Sequence, residues 1–502
     1  MMTDRLYQFA QTRPQDVFLV YEEAEYTYAG MADLVSAVAR RLDGLGIRAG
    51  DRVALVCGNR PAFLAAWFAV TELGAVAVPL NVGLKGDGLR YTLTQSGAAA
   101  LLIEPDLLAE KRGDIARLES ALRIHEIDAA MEAPPTDVTP RWRLATRPDA
   151  QQANSILYTS GTTGLPKGAV LPHAAYEAAG RDMTRSLGLT DQDRIMVFLP
   201  LFHANPQMYA VASVLHAGAT LVLRPKFSAR AFFDDAVRYR ATGFTYVGTV
   251  LAILEKQHPG ARADHGLRWG VGGGAPERVW RELEPRFGIA IRELYGMTET
   301  GGWVSMNLPA ATRLGSVGQA RPGVHLQIRD EAGNAVAAGV HGEIVARAAE
   351  PGMFFSEYWR NAEATASTWR DGWLHTGDRG ALDADGYLTF HGRIKELIRR
   401  GGEMIAPAEI EMQLLRHPDI RECAVIGVPD DILGEEIQAV IVADRAVPAD
   451  ELHAFAQARL PDHMVPRYVL YVDRLPKTET EKIKRHELAG LILPAVDLRP
   501  GR

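Results

Sequence analysis

The sequence is poor in cysteine, with only Cys57 and Cys423 among 502 residues. The two lie far apart in apolar, strand-like runs, RVALVC and ECAVIGV, and no CxxC or zinc-type spacing is present. These features exclude a disulfide framework and a cysteine-based zinc site. We expect both thiols to be buried and reduced, in a protein of the reducing cytoplasm.

Long uncharged hydrophobic runs are also missing. The most apolar stretch, residues 61–80, contains Glu72 and Pro79, and it predicts a buried helix followed by a strand rather than a membrane span. The first sixteen residues have no apolar segment, so we expect no signal peptide.

The sequence has no excess of basic residues. It contains 55 Lys and Arg and 62 Asp and Glu, so its net charge is −7. This balance argues against nucleic acid as a partner. A chain of 502 residues with 47% hydrophobic and 23% charged residues is a soluble globular protein of two or more domains by composition.

Strand-length apolar runs alternate with helical patterns such as residues 28–46, which indicates an α/β fold with largely parallel sheets. Proline-rich residues 127–150 predict a surface connection. After residue 320, LQIRDEAGNAV and ALDADGYLTFHG predict strand–turn–strand units of a small β unit. A compact α+β pattern follows residue 395. The predicted strands are 51–57, 75–80, 98–104, 193–200, 219–224 and 243–248.

Residues 155–170, SILYTSGTTGLPKGAV, combine hydroxyls, glycines and one lysine after a strand-like lead. Backbone N–H groups and hydroxyls of such a loop can surround a polyphosphate, and Lys167 adds a positive charge. The spacing differs from a Walker A loop, because Gly161 lies six residues before Lys167. A plain flexible surface loop is the alternative interpretation.

The string YTSGTTGLPKG resembles the phosphate loop of the adenylate-forming superfamily, which includes acyl-CoA synthetases, peptide-synthetase adenylation domains and luciferases. Further segments occur in that family's order: GGGAPE, ELYGMTETGG, GWLHTGDRG, GRIKELIRRGGEMIAP and LPKTETEKIKRHEL. The resemblance spans roughly residues 15–490. It implies a large domain (1–394) of parallel and mixed sheets with helices and a small β unit, and a small mobile α+β domain (395–502).

The resemblance implies that Glu299 binds Mg²⁺, that Thr298 and Lys167 contact phosphate, and that Asp378 accepts hydrogen bonds from the ribose diol. Tyr295 would stack on adenine. Each residue has a plain structural alternative when taken alone: a helix start for Glu299, for example, or a turn for Asp378. The implied ATP and AMP ligands are Thr159, Ser160, Gly161, Thr162, Thr163, Gly164, Gly274, Ala275, Pro276, Tyr295, Gly296, Met297, Asp378 and Arg393.

In the last part of the chain, Lys395 matches the family hinge and Lys482 the catalytic lysine. The chain departs from the family pattern at Glu481, where the family has glycine, and this leaves the efficiency of adenylate formation open. The implied coenzyme A ligands are Arg399, Arg400, Gly401, Gly402 and Glu403; a solvated basic face is the alternative for the two arginines.

His203, in PLFHANP, matches a position that lines the acyl pocket in the family, although a lone histidine is more often structural. Gly272, Gly273, Gly301 and Trp303 complete the predicted acyl pocket. The glycines leave room, and we expect a medium to bulky hydrophobic acid.

Together these features imply a carboxylic acid–CoA ligase that uses ATP, Mg²⁺ and coenzyme A. It would form an acyl adenylate and pyrophosphate, and then acyl-CoA and AMP. PLFHANPQM also resembles stand-alone acyl-CoA and carnitine-type ligases. The alternatives are an enzyme that loads a carrier protein, a half-enzyme that uses a supplied adenylate, and a silent nucleotide binder. No carrier domain is expected after the small domain, and a homodimer is left open.

Overall fold

The structure, a computed structural model, describes residues 1–118, 122–135, 141, 147–159, 165–400, 403–430, 433–460, 462–477, 483–488 and 495–498. Within these residues the helices are α1 (Met2–Thr12), α2 (Tyr28–Gly44), α3 (Pro61–Glu72), α4 (Gly86–Ser96), α5 (Pro105–Ile115), α6 (His173–Leu187), α7 (Ala212–Ala217), α8 (Phe232–Arg238), α9 (Gly248–Gln257), α10 (Glu277–Phe287), α11 (Ala362–Thr368), α12 (Pro407–Leu414), α13 (Ala449–Gln457) and α14 (Arg485–Leu488).

The strands of the same residues are β1 (Val17–Tyr21), β2 (Ala24–Thr27), β3 (Arg52–Val56), β4 (Val76–Pro79), β5 (Ala100–Ile103), β6 (Arg123–Glu126), β7 (Ala153–Thr159), β8 (Lys167–Pro172), β9 (Arg194–Val197), β10 (Thr220–Leu223), β11 (Gly243–Val247), β12 (Trp269–Gly273), β13 (Ala290–Tyr295), β14 (Ser305–Met306), β15 (Gln319–Ala320), β16 (Val324–Arg329), β17 (Gly342–Ala348), β18 (Trp369–Arg370), β19 (Trp373–Leu382), β20 (Leu388–Arg393), β21 (Ile398–Arg400), β22 (Glu403–Ile405), β23 (Ile420–Asp430), β24 (Gly434–Ala443), β25 (Tyr468–Tyr471) and β26 (Val496–Asp497).

Two large sheets form the first part of the molecule. One has the order β15-β14-β13-β12-β11-β9-β10-β1-β2, and the other β6-β5-β3-β4-β7-β8. Neighbours from β13 to β1 and from β6 to β7 pair in parallel, so their carboxyl ends lie along one edge of each sheet. Ligands of open α/β sheets bind at such edges. The phosphate-loop segment follows β7, and the ELYGMTE segment continues from β13.

Two smaller sheets follow in the chain. Strands β16, β17 and β19 pair antiparallel, with β18 and β20 on β19, whereas β21 to β26 form a separate sheet beside α12 and α13. The second of these sheets has its own apolar core, for example Ile410, Val425 and Ile437. The predicted class is therefore confirmed: an α/β body, a small β unit and a C-terminal α+β unit.

The apolar stretch at 61–80 forms α3 and β4, as predicted. Every residue of α3 is buried, and Pro61 occupies its first turn, where the missing N–H is harmless. Glu72 is fully buried, and its carboxylate lies 2.8 Å from the Arg147 guanidinium and also accepts a hydrogen bond from the Thr3 hydroxyl. Among the described residues, no helix has the length and apolar content to cross a membrane.

One predicted hairpin is shorter than expected. After β16 the chain turns at Asp330–Asn334, but the return makes only a single bridge between Arg329 and Ala335. The strand that pairs along β16 is β17, from Gly342. The return segment, VAAGV, consists largely of alanine and glycine, which have low strand propensity. The second predicted hairpin, around Asp383–Gly386, joins β19 and β20 as expected.

Candidate active site

Glu299 lies in a short 3₁₀ turn, Thr298–Thr300, just beyond the end of β13. Its carboxylate is buried, at 3% exposure, yet it faces polar partners. Oε1 accepts a hydrogen bond of 2.6 Å from the Tyr358 hydroxyl and one of 3.4 Å from Thr159 Oγ1 at the end of β7. The ends of strands from both large sheets therefore meet at this carboxylate.

Lys167 begins β8 and pairs directly with Thr159, so the two residues close the base of the phosphate loop. Its ammonium lies 5.1 Å from the centroid of the Tyr358 ring, on which a cation is attracted by the π-electrons. Thr159, Lys167, Glu299 and Tyr358 thus form one cluster that combines a positive charge, a carboxylate and hydroxyls. Tyr358 is the member that the sequence interpretation missed, although it lies in the aromatic run MFFSEYW.

Asp378 and Arg393 face each other across the β19–β20 ladder, where they are register partners. The guanidinium Nε of Arg393 is 3.4 Å from Asp378 Oδ1, and the Tyr295 hydroxyl donates a hydrogen bond of 2.6 Å to Oδ2. Burial raises the pKa of the Tyr295 hydroxyl, followed by the charge of Asp378. The ring of Tyr295 stacks on Phe390 at 5.4 Å. Tyr295, Asp378 and Arg393, three residues predicted to bind the nucleotide, therefore form one contacting group.

The predicted adenine segment at Gly274, Ala275 and Pro276 is held by a residue that the sequence interpretation did not name. The carboxylate of Glu293 accepts hydrogen bonds from the backbone N–H groups of Gly274, at 2.5 Å, and Ala275, at 3.1 Å. It also accepts one of 2.7 Å from the Tyr246 hydroxyl.

Burial raises the pKa of Glu293 to about 7, and the three hydrogen bonds oppose that rise. Glu293 precedes Tyr295 by two residues, so both side chains lie on one face of β13. The sequence signal that could have revealed Glu293 was a charged residue within the apolar strand β13, two positions before Tyr295.

The predicted acyl pocket begins with His203, which follows β9 and is half-buried, with its ring centroid 4.2 Å from that of Phe202. A π-helical turn, Pro206–Val211, comes next, and such turns are frequent at functional sites. Its Tyr209 donates a hydrogen bond of 2.8 Å to the Gly302 carbonyl. Gly272 and Gly273 lie at the end of β12, on the same edge as the adenine segment.

Gly301 requires glycine for two reasons. Its φ is +62°, and a Cβ placed there would lie 2.1 Å from the Met353 carbonyl oxygen. Trp303 is fully buried, with its ring edge-on to Tyr209 at 5.8 Å and the Arg321 guanidinium 4.1 Å from its centroid. The structure thus places Trp303 in the core behind Gly302, and its role as pocket lining stays a prediction.

Gly296 and Met297 connect β13 to the 3₁₀ turn, and the Met297 N–H donates to Thr300 Oγ1 at 3.1 Å. In the C-terminal unit, Arg400 makes a bidentate ion pair with buried Glu436, at 2.5 and 2.9 Å, so its charge is already compensated. Several predicted positions lie outside the described residues: Ser160, Gly161, Thr162, Thr163, Gly164, Gly401, Gly402, Glu481 and Lys482, together with the side chains of Lys395, Arg399 and Glu403.

Comparison with known proteins places this geometry among enzymes that activate acids. The AMP-binding enzyme family model matches residues 6–359, and the model of the AMP-binding enzyme C-terminal domain matches residues 409–482. An indoleacetate–CoA ligase of Aromatoleum aromaticum is 34% identical over 96% of each chain. A feruloyl-CoA synthase of Amycolatopsis is 36% identical over 92% of this chain and 93% of its own.

A solved structure shows the same architecture. The o-succinylbenzoate CoA synthetase of Bacillus subtilis, in complex with its acyl-adenylate intermediate, superposes with a TM-score of 0.87 at 29% identity, over 97% of this chain and 98% of that one. The same synthetase in complex with ATP and a magnesium ion superposes with a TM-score of 0.86 at 29% identity, over 96% and 98%.

Proposed function

We propose residue roles and a substrate class for this chain, which belongs to the AMP-binding enzyme family and is an ATP-dependent acid–CoA ligase that forms an acyl adenylate and then an acyl-CoA thioester. The substrate class is a hydrophobic carboxylic acid with an aromatic ring. The observation that carries the residue roles is the meeting of Thr159, Lys167, Glu299 and Tyr358 at the ends of strands from two sheets.

A free carboxylate is a poor acyl donor, because its leaving group would be oxide. Attack of the carboxylate oxygen on the α-phosphorus of ATP forms the acyl–phosphate bond and breaks the bond to pyrophosphate, so negative charge gathers on phosphate oxygens. In our proposal Lys167, the loop at Ser160–Gly164 and Lys482 neutralise that charge. The thiolate of coenzyme A then attacks the acyl carbon, and AMP leaves.

Glu299 fits Mg²⁺, because the metal prefers carboxylate oxygens and the carboxylate is held in place by the Tyr358 and Thr159 hydroxyls. When bound with ATP, the ion would supply additional positive charge beside the phosphates. Thr298, on the same turn, is our candidate for a hydroxyl contact to phosphate.

The nucleoside would occupy the edge between the adenine segment and the β19–β20 ladder. We assign Asp378 to the ribose diol and Arg393 to ribose and phosphate, which their contact across the ladder supports. Tyr295 and the backbone at 274–276 would lie along adenine. Glu293 then acts as a positioning residue, since it fixes the N–H groups of that backbone.

The substrate class rests on two observations. The relatives described above act, by name, on indoleacetate, ferulate and o-succinylbenzoate, all of which carry an aromatic ring. The segment after His203 contacts Gly302 through the Tyr209 hydroxyl, so an aromatic side chain lies at this part of the predicted pocket. We propose that His203 borders the acyl group.

We further propose that the unit after Lys395 rotates about that residue between the two half-reactions, so that Arg399, Gly401, Gly402 and Glu403 border the pantetheine arm. We also propose a location in the cytoplasm, a reducing compartment in which the free thiols of Cys57 and Cys423 would stay reduced.

The first test is acid-dependent exchange between ATP and pyrophosphate over a panel of acids, with acyl-CoA followed by mass spectrometry. The panel contains arylacetates, cinnamates, benzoates, linear fatty acids and carnitine. The proposal expects both signals with an aromatic acid. Faster turnover of a linear acid or of carnitine would refute the substrate class while leaving the residue roles intact.

Two alternatives are separated by the same assay. Acyl-CoA from a synthetic acyl adenylate, without exchange for any acid, would identify a half-enzyme, and Glu481→Gly should then restore exchange. Transfer to a carrier protein but not to coenzyme A would identify a carrier-loading enzyme.

A further inference from the structure

His341, His391 and Glu409 form a compact cluster that does not include the active-site groups described above. His391 Nδ1 lies 3.4 Å and His341 Nδ1 lies 3.6 Å from Glu409 Oε1, and the two imidazole rings stack at 4.3 Å. His341 directly precedes β17 and His391 belongs to β20, whereas Glu409 lies in the first turn of α12. The cluster therefore joins the small β unit to the C-terminal unit.

The hydrogen bonds around His391 favour the tautomer with its proton on Nε2. The Thr389 hydroxyl donates to the Ala381 carbonyl, at 3.2 Å, so it accepts at 3.1 Å from His391 Nε2. Nε2 therefore carries the proton and Nδ1 presents a lone pair to Glu409 Oε1. Oε1 is itself buried and receives no hydrogen bond within the described residues. In this tautomer two acceptors face each other, an arrangement that a cation between them satisfies.

The neighbouring guanidinium of Arg379 does not fill this place. Arg379 lies beside the carboxylate, with NH1 3.9 Å from Oε1, too far for a hydrogen bond. Neutral imidazole and carboxylate are the ligands that borderline divalent metals prefer, and a tetrahedral Zn²⁺ site sets ligand atoms about 3.4 Å apart.

We propose that His341, His391 and Glu409 bind Zn²⁺ or a chemically similar divalent transition-metal ion, which fastens α12 to β20. The Thr389 hydroxyl orients the ligating ring from behind, as is usual in metal sites. Gly392 permits the close approach of the two elements: its φ is +90°, and a Cβ there would lie 3.2 Å from the Ala408 side chain.

A regulatory consequence follows, and it rests on the proposed rotation about Lys395. Since the ligands lie on both sides of that residue, the metal stabilises the arrangement in which the three side chains meet. Free Zn²⁺ would therefore slow the turnover cycle, which needs both arrangements.

A second histidine cluster, His417, Asp419 and Glu451, does not carry the same argument. His417 Nδ1 accepts the Asp419 N–H at 3.2 Å, and the Arg445 guanidinium contacts both carboxylates, at 2.8 and 3.3 Å. Its polar groups are already compensated within the C-terminal unit, so it serves as a control.

The test is titration of the untagged full-length protein with Co²⁺, followed by its visible absorption, and with Zn²⁺ in competition with a chromophoric chelator. We expect one site of micromolar or tighter affinity that weakens at least tenfold in His391→Ala and in Glu409→Gln. His325→Ala, an exposed histidine on β16, and Glu451→Gln should bind as the wild type does. Equal binding by wild type and His391→Ala, or no saturable binding below about 100 µM, would overturn the site.

The regulatory consequence has its own readout. Acyl-CoA turnover is measured at free Zn²⁺ concentrations fixed by a chelator buffer, so that binding of the metal by coenzyme A or ATP does not matter. Zn²⁺ that inhibits the wild type but not His391→Ala would support the regulatory consequence. Metal binding with unchanged turnover would overturn that consequence and leave the metal site intact. A protein that binds Co²⁺ but has no ligase activity would contradict the proposed function and not the metal site.

Discussion

At the scale of single residues, the site depends on buried carboxylates whose partners are hydroxyls and backbone N–H groups. Glu299 and Glu293 follow the same rule: each lies just before or after the end of β13, and each accepts a tyrosine hydroxyl. A carboxylate held in this way keeps its position before any ligand binds. Such preorganised groups stabilise the charge that develops in a transition state.

Removing one hydroxyl tests the metal-side cluster. Tyr358→Phe deletes the hydrogen bond to Glu299 but keeps the ring beside Lys167. Hydrogen bonds to charged groups contribute about 1.5–3 kcal/mol, so kcat/KM for MgATP should fall roughly 10- to 100-fold. Exchange kinetics measure this. Tyr471→Phe, which removes a hydroxyl bonded to the Val447 carbonyl far from the cluster, is the control; equal losses in both variants would count against the assigned role.

Glu293→Gln should remove a pH dependence. The folded pKa of Glu293, about 7, is above the ~4.3 of an unfolded glutamate. The stabilisation that this carboxyl contributes is complete below ~4.3 and is lost as pH rises through 7. The free energy of unfolding of the variant, minus that of the wild type, should therefore rise by about 3 kcal/mol between pH 5 and 8, as measured by thermal unfolding.

The KM for ATP in Glu293→Gln should also lose the part of its pH dependence that ionisation of Glu293 causes, because the amide cannot ionise. Glu331→Gln, at an exposed turn, is the matched substitution. A wild type and a Glu293→Gln variant with parallel pH profiles would contradict the positioning role.

At the scale of elements, the chain's own patterns predicted most of the structure. Each of the six strand-length runs forms a strand, and residues 61–80 form a buried helix and a strand, because apolar periodicity and turn residues act locally. The return after Asn334 failed to form a strand because the preference of alanine and glycine outweighed the turn signal. The sequence did not reveal Tyr358 and Glu293, because their hydrogen-bond partners are distant along the chain. Tyr358 lies 59 residues from Glu299, and Glu293 lies at least 18 residues from the N–H groups that it holds.

The turn after Glu299 offers an element-level test. Gly301→Ala places a Cβ 2.1 Å from the Met353 carbonyl in addition to the left-handed backbone strain, and should cost about 2–4 kcal/mol of stability together with most of the activity. Gly288→Ala has a similar φ, +67°, but open space around the added atom, and should cost only about 1–2 kcal/mol of left-handed backbone strain. Thermal unfolding of both variants compares them. Similar midpoints would show that close packing at Gly301 contributes little.

At the scale of the whole molecule, our proposal has two bodies share one acyl pocket. In it Lys482 and the phosphate loop act on the substrate carboxylate in the first half-reaction, and the C-terminal unit turns for the second. The rotation of the C-terminal unit is inferred from the family resemblance. The described contacts between the units, such as Arg416 with Glu277 at 2.8 Å, belong to one arrangement of the two bodies. Sequence periodicity carries no information on relative domain positions, which is why the interface could not be foreseen.

Lys482→Ala should separate the half-reactions. ATP–pyrophosphate exchange should fall by 10²-fold or more, because a charge that stabilises the transition state is lost, while acyl-CoA formation from a synthetic acyl adenylate should stay within about threefold of wild type. Lys484→Ala, whose ammonium pairs with Glu487 at 2.8 Å, is the control. Equal loss in both half-reactions would remove Lys482 from its role.

The antiparallel pairing of Asp378 with Arg393 also constrains how this protein can tolerate insertions and deletions. The side chains of a strand alternate between its two faces, so deletion of a single residue from the regularly paired segment 388–390 would put the strand that leads to Arg393 out of register with β19. Insertions in the turn at 383–386, which lies outside the paired register, would leave the pairing intact. Within residues 378–393, natural length variation and engineered peptide tags should therefore be confined to that turn.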